Sequence, residues 1–406
     1  MKRRTLLKLL GASALASSFP KPSIAEGVTL RWWYHFDNPE NSPAKFIAKF
    51  EQDNPGIKIQ AEPIPWGGGT DYANRIFASA VAGNLPDTGL VRLSYLSQLM
   101  GMEAITPLDD HIKSWPGRSE ISDDLWKLNT AKDGKLYYMP AHYVVLYLCY
   151  RVDLFKQAGL QPPKTFEEFR TCAKTLTKGD VYGFGMRGAA GGFDNWGPFV
   201  IGGGASFEKG GMVTEKAVKA NEWYVNLFRQ DKVTPPSAPA DSFRQIIDAF
   251  KAGRTAMVIH HLTTANEMVS ALGDENVGAV TVPHSPEGKA WTIYGDESNA
   301  IFSTCKNKEA AFRWLSFLSS VEGNLMFTKE TSQLTITKTG AANWTLHPKR
   351  FVDATLASLP FASVLPDSPK TVDFVRTVWT TNMQRALLGE ITPAEMMQAY
   401  EHHYYG

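Results

Sequence analysis

DGKLYYMPAHYVVLYLCYRVDLFKQAGLQPPKTFEEFRTCAKTL, residues Asp133 to Leu176, passes from an extended region into a helical one, and the architecture can be worked outward from it. Asp133-Gly134 is a turn signal. From Leu136 to Tyr150 the chain is rich in Tyr, Val and Leu, the composition of a buried strand. Pro140 lacks the N–H that a ladder needs, which predicts two extended pieces and not one central strand. Val152 to Ala158 is a short amphipathic helix, with Gly159 suited to the left-handed residue that follows a helix end. Pro162-Pro163 blocks continuation. Thr165 is then an N-cap, with Glu167 and Glu168 in the first turn where negative charge suits the helix dipole.

The chain has 406 residues, which implies two domains. Hydrophobic residues make up 43% and charged residues 20%, a globular composition. A formal net charge of +1 argues against a nucleic-acid footprint. Residues 1–25 read as a cleaved export signal of the twin-arginine type. Arg3-Arg4 precede a weakly apolar run, and Ser23-Ile24-Ala25 offers a cleavage site. The run is too short to span a bilayer, and no Cys follows it to carry a lipid. A soluble, exported protein is expected. The three cysteines, Cys149, Cys172 and Cys305, leave at least one free thiol, and Cys149 reads as a small buried hydrophobe.

In order, Val28 to Tyr34 is a strand and Ser42-Pro43 starts a helix that ends at Asn54-Pro55-Gly56. Ile57 to Ile64 is a strand, Asp71 to Ala82 a helix, and Asp87 to Leu93 a strand. This alternation predicts an α/β sheet whose ligands bind beyond the strand carboxyl ends. Past Tyr182 to Met186, the region Gly188 to Gly204 is dense in glycine. Neither Gly202-Gly203-Gly204 nor Gly67-Gly68-Gly69 has the Lys-Ser/Thr or the spacing of a phosphate loop. Helices are expected at Thr214 to Asp231, Ser242 to Ala252 and Glu309 to Ser319, a strand at Ala256 to His260, and mostly helices in the last 60 residues.

"GKLYYMP", "YRVDLFKQAGL" and "PPKTFEEF", in that order, resemble the sugar-binding group of extracellular solute-binding proteins, family 1, the periplasmic receptors of ABC importers. FEQDNPGIKI (Phe50 to Ile59), AVAGNLPD (Ala80 to Asp87), ITPLD (Ile105 to Asp109) and KNKEAAFRWLSFL (Lys306 to Leu318) extend the likeness over most of the chain. The resemblance implies a two-lobed type II periplasmic-binding-protein fold, maltose-binding-protein-like, with the ligand cleft between the lobes. It implies three hinge crossings, near Ala141 to Val145, His284 to Gly288 and Leu334 to Thr337. The lobes would then be 26–141 with 288–334, and 142–287 with 335–406. It further implies a monomer that binds a carbohydrate and delivers it to membrane permease subunits, without cofactor, metal or catalytic residue. Closure would be a population shift driven by tighter binding to the closed state.

Stacking of aromatic faces on sugar rings, beside a few fixed polar groups, is the expected chemistry. The aromatics at strand-end loops are Tyr34, Trp66, Tyr143, Trp196 and Tyr294, with Trp196 foremost because Asp194 and Asn195 flank it. Asp37, Asp71, Asp194 and Glu297 are candidate acceptors for hydroxyls. His35, Gly295 and Gln333 complete the expected lining. Arg92 departs from the acidic or small residue that many relatives carry there. With Arg187, it raises the expectation of an acidic sugar, against the alternative of a structural ion pair. His260-His261 and His402-His403 invite a metal reading, but adjacent strand residues face opposite ways, and no zinc spacing is present. A single cleft histidine donating to a hydroxyl, His260 or His261, fits better, with His260 carried as the site candidate. A secreted carbohydrate-active enzyme is the competing class. The sequence has no GxSxG and no carboxylate pair at a motif spacing to favour it.

Overall fold

A computed structural model describes residues 27–36, 42–65, 70–366 and 368–406. The expected signal segment, Asp37 and Trp66 lie outside the described residues. Eleven strands form two sheets among the described residues. They are β1 (Val28–Tyr34), β2 (Ile57–Pro63), β3 (Thr88–Val91), β4 (Tyr138–Val145), β5 (Tyr147–Arg151), β6 (Tyr182–Gly185), β7 (Thr255–His260), β8 (Val277–Val280), β9 (Thr292–Ile301), β10 (Leu334–Thr335) and β11 (Ala362–Ser363). The larger sheet has the order β10-β4-β9-β3-β1-β2, with β11 pairing β9, and the smaller has β6-β7-β5-β8.

β1 pairs in parallel with β2 and with β3, as right-handed crossovers through the helices Ala44–Asp53 and Thr70–Val81 require. β9 is antiparallel to both β3 and β4 and closes the middle of the sheet. Pro140 does not divide the extended run. It sits inside β4 at a register shift between Pro140 and His142, a position where a missing N–H is tolerated. The run divides instead at Leu146, between β4 and β5, and this residue is the first passage between the sheets. Thr292 holds it: the Leu146 N–H donates to Thr292 Oγ1 at 3.1 Å, and the same hydroxyl donates to the Leu146 carbonyl at 2.9 Å.

The second passage falls just before β9, later than the predicted 284–288. His284 is still bound to the smaller sheet's side of the molecule through Lys164 and Phe166. The third also falls later than expected. β10 pairs with β4, and Lys338 and Thr339 bond to Ser119 and Glu120, whereas Arg350 Nε donates to the carbonyl of Val277 in β8 at 2.7 Å. The chain therefore reaches the smaller sheet's β8 between 339 and 350, and β11 then pairs with β9 of the larger sheet.

Around the opening stretch, local signals and structure agree. The helix Val152–Gln157 ends at Gly159, φ 68°, and Phe166–Leu176 begins with a reciprocal Thr165–Glu168 capping box. The smaller sheet is covered on both faces, and alternate residues along its strands belong to different cores. Tyr147, Cys149 and Val258 join a core that continues into the larger sheet. Leu148, Met257 and Ile259 face a second core built on Phe169, Trp196, Tyr224, Trp379 and Tyr400. All three cysteines are free and buried. No helix among the described residues is long and apolar enough to cross a membrane.

Candidate functional site

The carboxyl ends of β1 and β3 deliver His35 and Arg92, while β4 and β9 present His142 and Glu297 as direct cross-strand partners. Glu297 is the centre of this wall and is only 5% exposed. Its Oε1 accepts from His35 Nε2 at 2.8 Å and from Arg92 Nη2 at 2.9 Å, and its Oε2 lies 3.3 Å from His142 Nε2. Burial alone would raise this carboxyl. The neighbouring His35, His142 and Arg92 outweigh burial and hold it well below the usual carboxylate range. Burial pushes His142 down to about 4, with Glu297 opposing. A neutral His142 that donates from Nε2 leaves Nδ1 as a bare acceptor, and Nδ1 meets no donor among the described residues.

The facing wall comes from the smaller sheet's side. Arg187 follows β6 and donates to the carbonyl of Ala190, with its Nη1 3.8 Å from Asp194. Burial lowers the guanidinium, and Asp194 opposes that shift. Burial raises the Asp194 carboxyl, and Arg187 and then Arg92 oppose it. His260 ends β7. Its Nδ1 lies 2.7 Å from Thr264 Oγ1, and that hydroxyl donates to the His261 carbonyl at 3.2 Å. With the hydroxyl proton so used, His260 Nδ1 carries the hydrogen, and Nε2 is an acceptor without a donor among the described residues. His261 Nδ1 is 2.7 Å from Thr263 Oγ1.

The two histidines do not point apart as strand alternation predicts. His261 has left the strand and begins the turn into the 3-10 helix Leu262–Thr264, so the rings stack 4.6 Å apart at 28°. Phe243, the first residue of the helix Phe243–Lys251, lies 4.4 Å from the His260 ring. It also stacks on His261 at 5.4 Å and 27°, with the Arg187 guanidinium 5.8 Å over its face. The two walls are near each other: the charge of Arg92 acts on both Asp194 and His261, and His142 also acts on His261.

The structure thus brings together His35, Arg92 and Glu297 on one side and Arg187, Asp194 and His260 on the other. Trp196 is not with them. It is fully buried in the second core, its indole N–H donating to Asn221 Oδ1 at 2.8 Å and its ring edge-on to Tyr400. The polar pair beside it serves other ends: Asn195 Nδ2 donates to the Ile259 carbonyl, and Asp194 faces Arg187. Tyr34 is likewise packed inside, between Trp32 and Phe36. Tyr143 and Tyr294 stack on each other, 6.1 Å apart, where β4 and β9 approach the first passage, and Gly295 pairs with Val144 beside them. Asp71 is exposed in the first turn of its helix, and the Gln333 N–H is bonded to Thr328.

Sequence reasoning missed His142 and Phe243 as site residues. A lone imidazole inside YMPAHYVVLYL is a signal that points to His142. Phe243 carries no such mark in the sequence. Among the described residues, no group of three His, Cys, Asp or Glu side chains is placed to hold a metal ion.

The family model of bacterial extracellular solute-binding proteins matches residues 37–325. The chain belongs to that family. A protein of Brucella abortus (strain 2308) described as a binding protein is 24% identical over 364 residues, which cover 86% of this chain and 85% of that one. The mannitol-binding protein of Pseudomonas aeruginosa is 26% identical over 300 residues, 69% of this chain and 63% of that one. Among solved structures, an ABC transporter solute-binding protein of Thermotoga lettingae bound to α-D-tagatose superposes with a TM-score of 0.79 at 22% identity. That match covers 93% of this chain and 99% of the other. The solute-binding fold is thus the two-lobed one, and the two clustered walls belong to its two sheets.

Proposed function

We propose that this solute-binding protein captures a carbohydrate or polyol between its lobes and delivers it to the permease of an ABC importer, leaving it chemically unchanged. The observation that carries the reading is the pair of polar walls, His35, Arg92 and Glu297 on one sheet's side and Arg187, Asp194 and His260 on the other's. They stand close enough for Arg92 to act on Asp194. The sugars and polyols named for relatives and fold neighbours support the substrate class. Phe243, stacked on His261 at the mouth of one wall, takes the place of Trp196 as the surface for a sugar face.

A binding role suits Glu297 better than a catalytic one. Both its oxygens already face donors, and a carboxyl held ionised is not a proton donor. Arg92 is tied to that carboxylate, so a structural ion pair accounts for it, and an acidic ligand is not required to explain it. The match to extracellular solute-binding proteins supports a working place outside the cytoplasm.

The test is thermal unfolding of the chain from Glu26 onward with neutral sugars, polyols, uronic acids and oligosaccharides. A ligand at a hundred times its Kd stabilises by about 2.7 kcal/mol, which raises the melting temperature by several degrees. The recovered ligand should be unaltered. No shift with any of these compounds would overturn the substrate class, and turnover would overturn the receptor reading.

A further inference from the structure

We propose that the stacked His260–His261 pair is an acid sensor that weakens lobe closure, so that the solute is held at neutral pH and released as the surroundings acidify. This rests on the reading of the chain as a closing receptor. The geometry has four parts. The two imidazoles stack at 4.6 Å, so a proton on one opposes a proton on the other. Phe243 covers both, and the Arg187 guanidinium stands over Phe243. His260 is buried, bonded through Nδ1 to Thr264. Across the cleft stand Arg92 and His142 of the other wall, both acting on His261.

The charged groups that act on the pair have partners of their own. On its own side Arg187 is a cation, with Asp194 facing that arginine at 3.8 Å. Arg244, in the helix packed on β7, also acts on His260, and its guanidinium is committed to Glu267 at 2.5 Å and lies 3.6 Å from Asp248. Tyr147, the ladder partner of His260 in β5, has its phenol pushed up by burial and stays uncharged. On the opposite side Glu297 is matched by His35, Arg92 and His142. A proton on His260 or His261 therefore enters a site whose carboxylates are already engaged, and it adds positive charge beside Arg187 and opposite Arg92. Opening the lobes relieves this repulsion by admitting water.

The sign follows from linkage. Burial, together with neighbouring charges, lowers His261 to about 3 and holds His260 well below its ordinary value. Separation of the lobes removes Arg92 and His142 from beside His261, hydrates that ring and moves it toward the ordinary value of about 6.5, and it loosens the cover over its stacked neighbour. The open form then binds more protons than the closed form below that value, so acid favours opening and affinity falls.

The experiment is calorimetric titration of the chain from Glu26 onward with D-tagatose, D-mannitol and maltotriose at pH 7.5 and 5.0, with far-UV circular dichroism confirming the fold at both. The expected result is that whichever probe binds at pH 7.5 binds at least tenfold more weakly at pH 5.0. His261→Gln, whose side chain does not titrate in this range, should reduce that ratio to threefold or less, as should His260→Gln. A wild-type affinity equal within twofold at the two pH values, with the fold intact, would overturn the proposal and leave the receptor reading standing. So would an undiminished ratio in both variants. Failure of all three probes at pH 7.5, together with no response to any sugar in the thermal screen, would overturn both.

Discussion

Glu297 and Trp196 mark the two extremes of what a residue's identity says about its role. Glu297 looked like one loop carboxylate among several. In the structure it is a buried strand residue that gathers His35, Arg92 and His142. Glu297→Gln keeps the shape but presents an amide N–H₂ to groups that donate, and it removes the carboxylate charge from Arg92. Loss of one partner from a buried ionic cluster costs about 3 kcal/mol. The urea midpoint should fall accordingly, and solute affinity with it. Trp196 was the foremost aromatic candidate because polar residues flank it. An Asp and an Asn just before it say nothing about where the Trp side chain points in a helix, and residue 196 points into the second core. Trp196→Phe should destabilise by about 2 kcal/mol, since Asn221 Oδ1 loses its donor. Solute affinity should stay within twofold, and a large loss of binding without loss of stability would return Trp196 to the cleft.

Element boundaries were legible where local chemistry sets them. The Thr165 capping box, the Gly159 helix end and the alternating strands at the chain start all act within a few residues. The passages between sheets were displaced from their expected places because side chains far away in sequence position them. Thr292 brackets Leu146 from β9, which local propensity does not reveal. Thr292→Val removes both bonds and leaves the Leu146 amide group buried without its partners. The expected loss is about 1–3 kcal/mol by chemical denaturation. If the passage acts as a pivot, the variant should also release solute faster than wild type in stopped-flow displacement. An unchanged off-rate would restrict Thr292 to a structural part. The joining of His142 to the site has the same origin: β4 and β9 must pair before His142 and Glu297 become neighbours.

Across the whole molecule, several histidines are held uncharged by burial. His142 and His347 are each pushed down to about 4 and His261 to about 3. In the unfolded chain each takes up a proton near pH 6.5, so below that value the unfolded state binds more protons and stability falls with pH. Each such group withdraws about 2 kcal/mol by pH 5. The loss continues until the folded values are reached. Urea unfolding at pH 7.0 and 5.0 should show the drop. His347→Gln should lessen it, because its Nδ1, which accepts from the Trp344 indole, can be replaced by an amide oxygen. A stability that does not change between these pH values would contradict the burial of neutral imidazoles. The overall fold was the most legible level, since composition, strand–helix alternation and resemblance converge on it. The site was less so, because it is assembled from strand ends hundreds of residues apart.

β9 lies between β3 and β4 in the larger sheet, although it is made long after both. Gly89 pairs with Ala300, and Met139 with Asn299. A ribosome that has produced the first 250 residues has therefore delivered β1, β2 and β3 as one paired group and β4, β5 and β6 with no strand yet made to pair them. Hydrogen-bonding edges at β3 and β4 stay open until residue 301 emerges. Truncation anywhere before that point should yield an aggregation-prone fragment and not a stable half. The two sheets of this solute-binding protein are thus not units of synthesis.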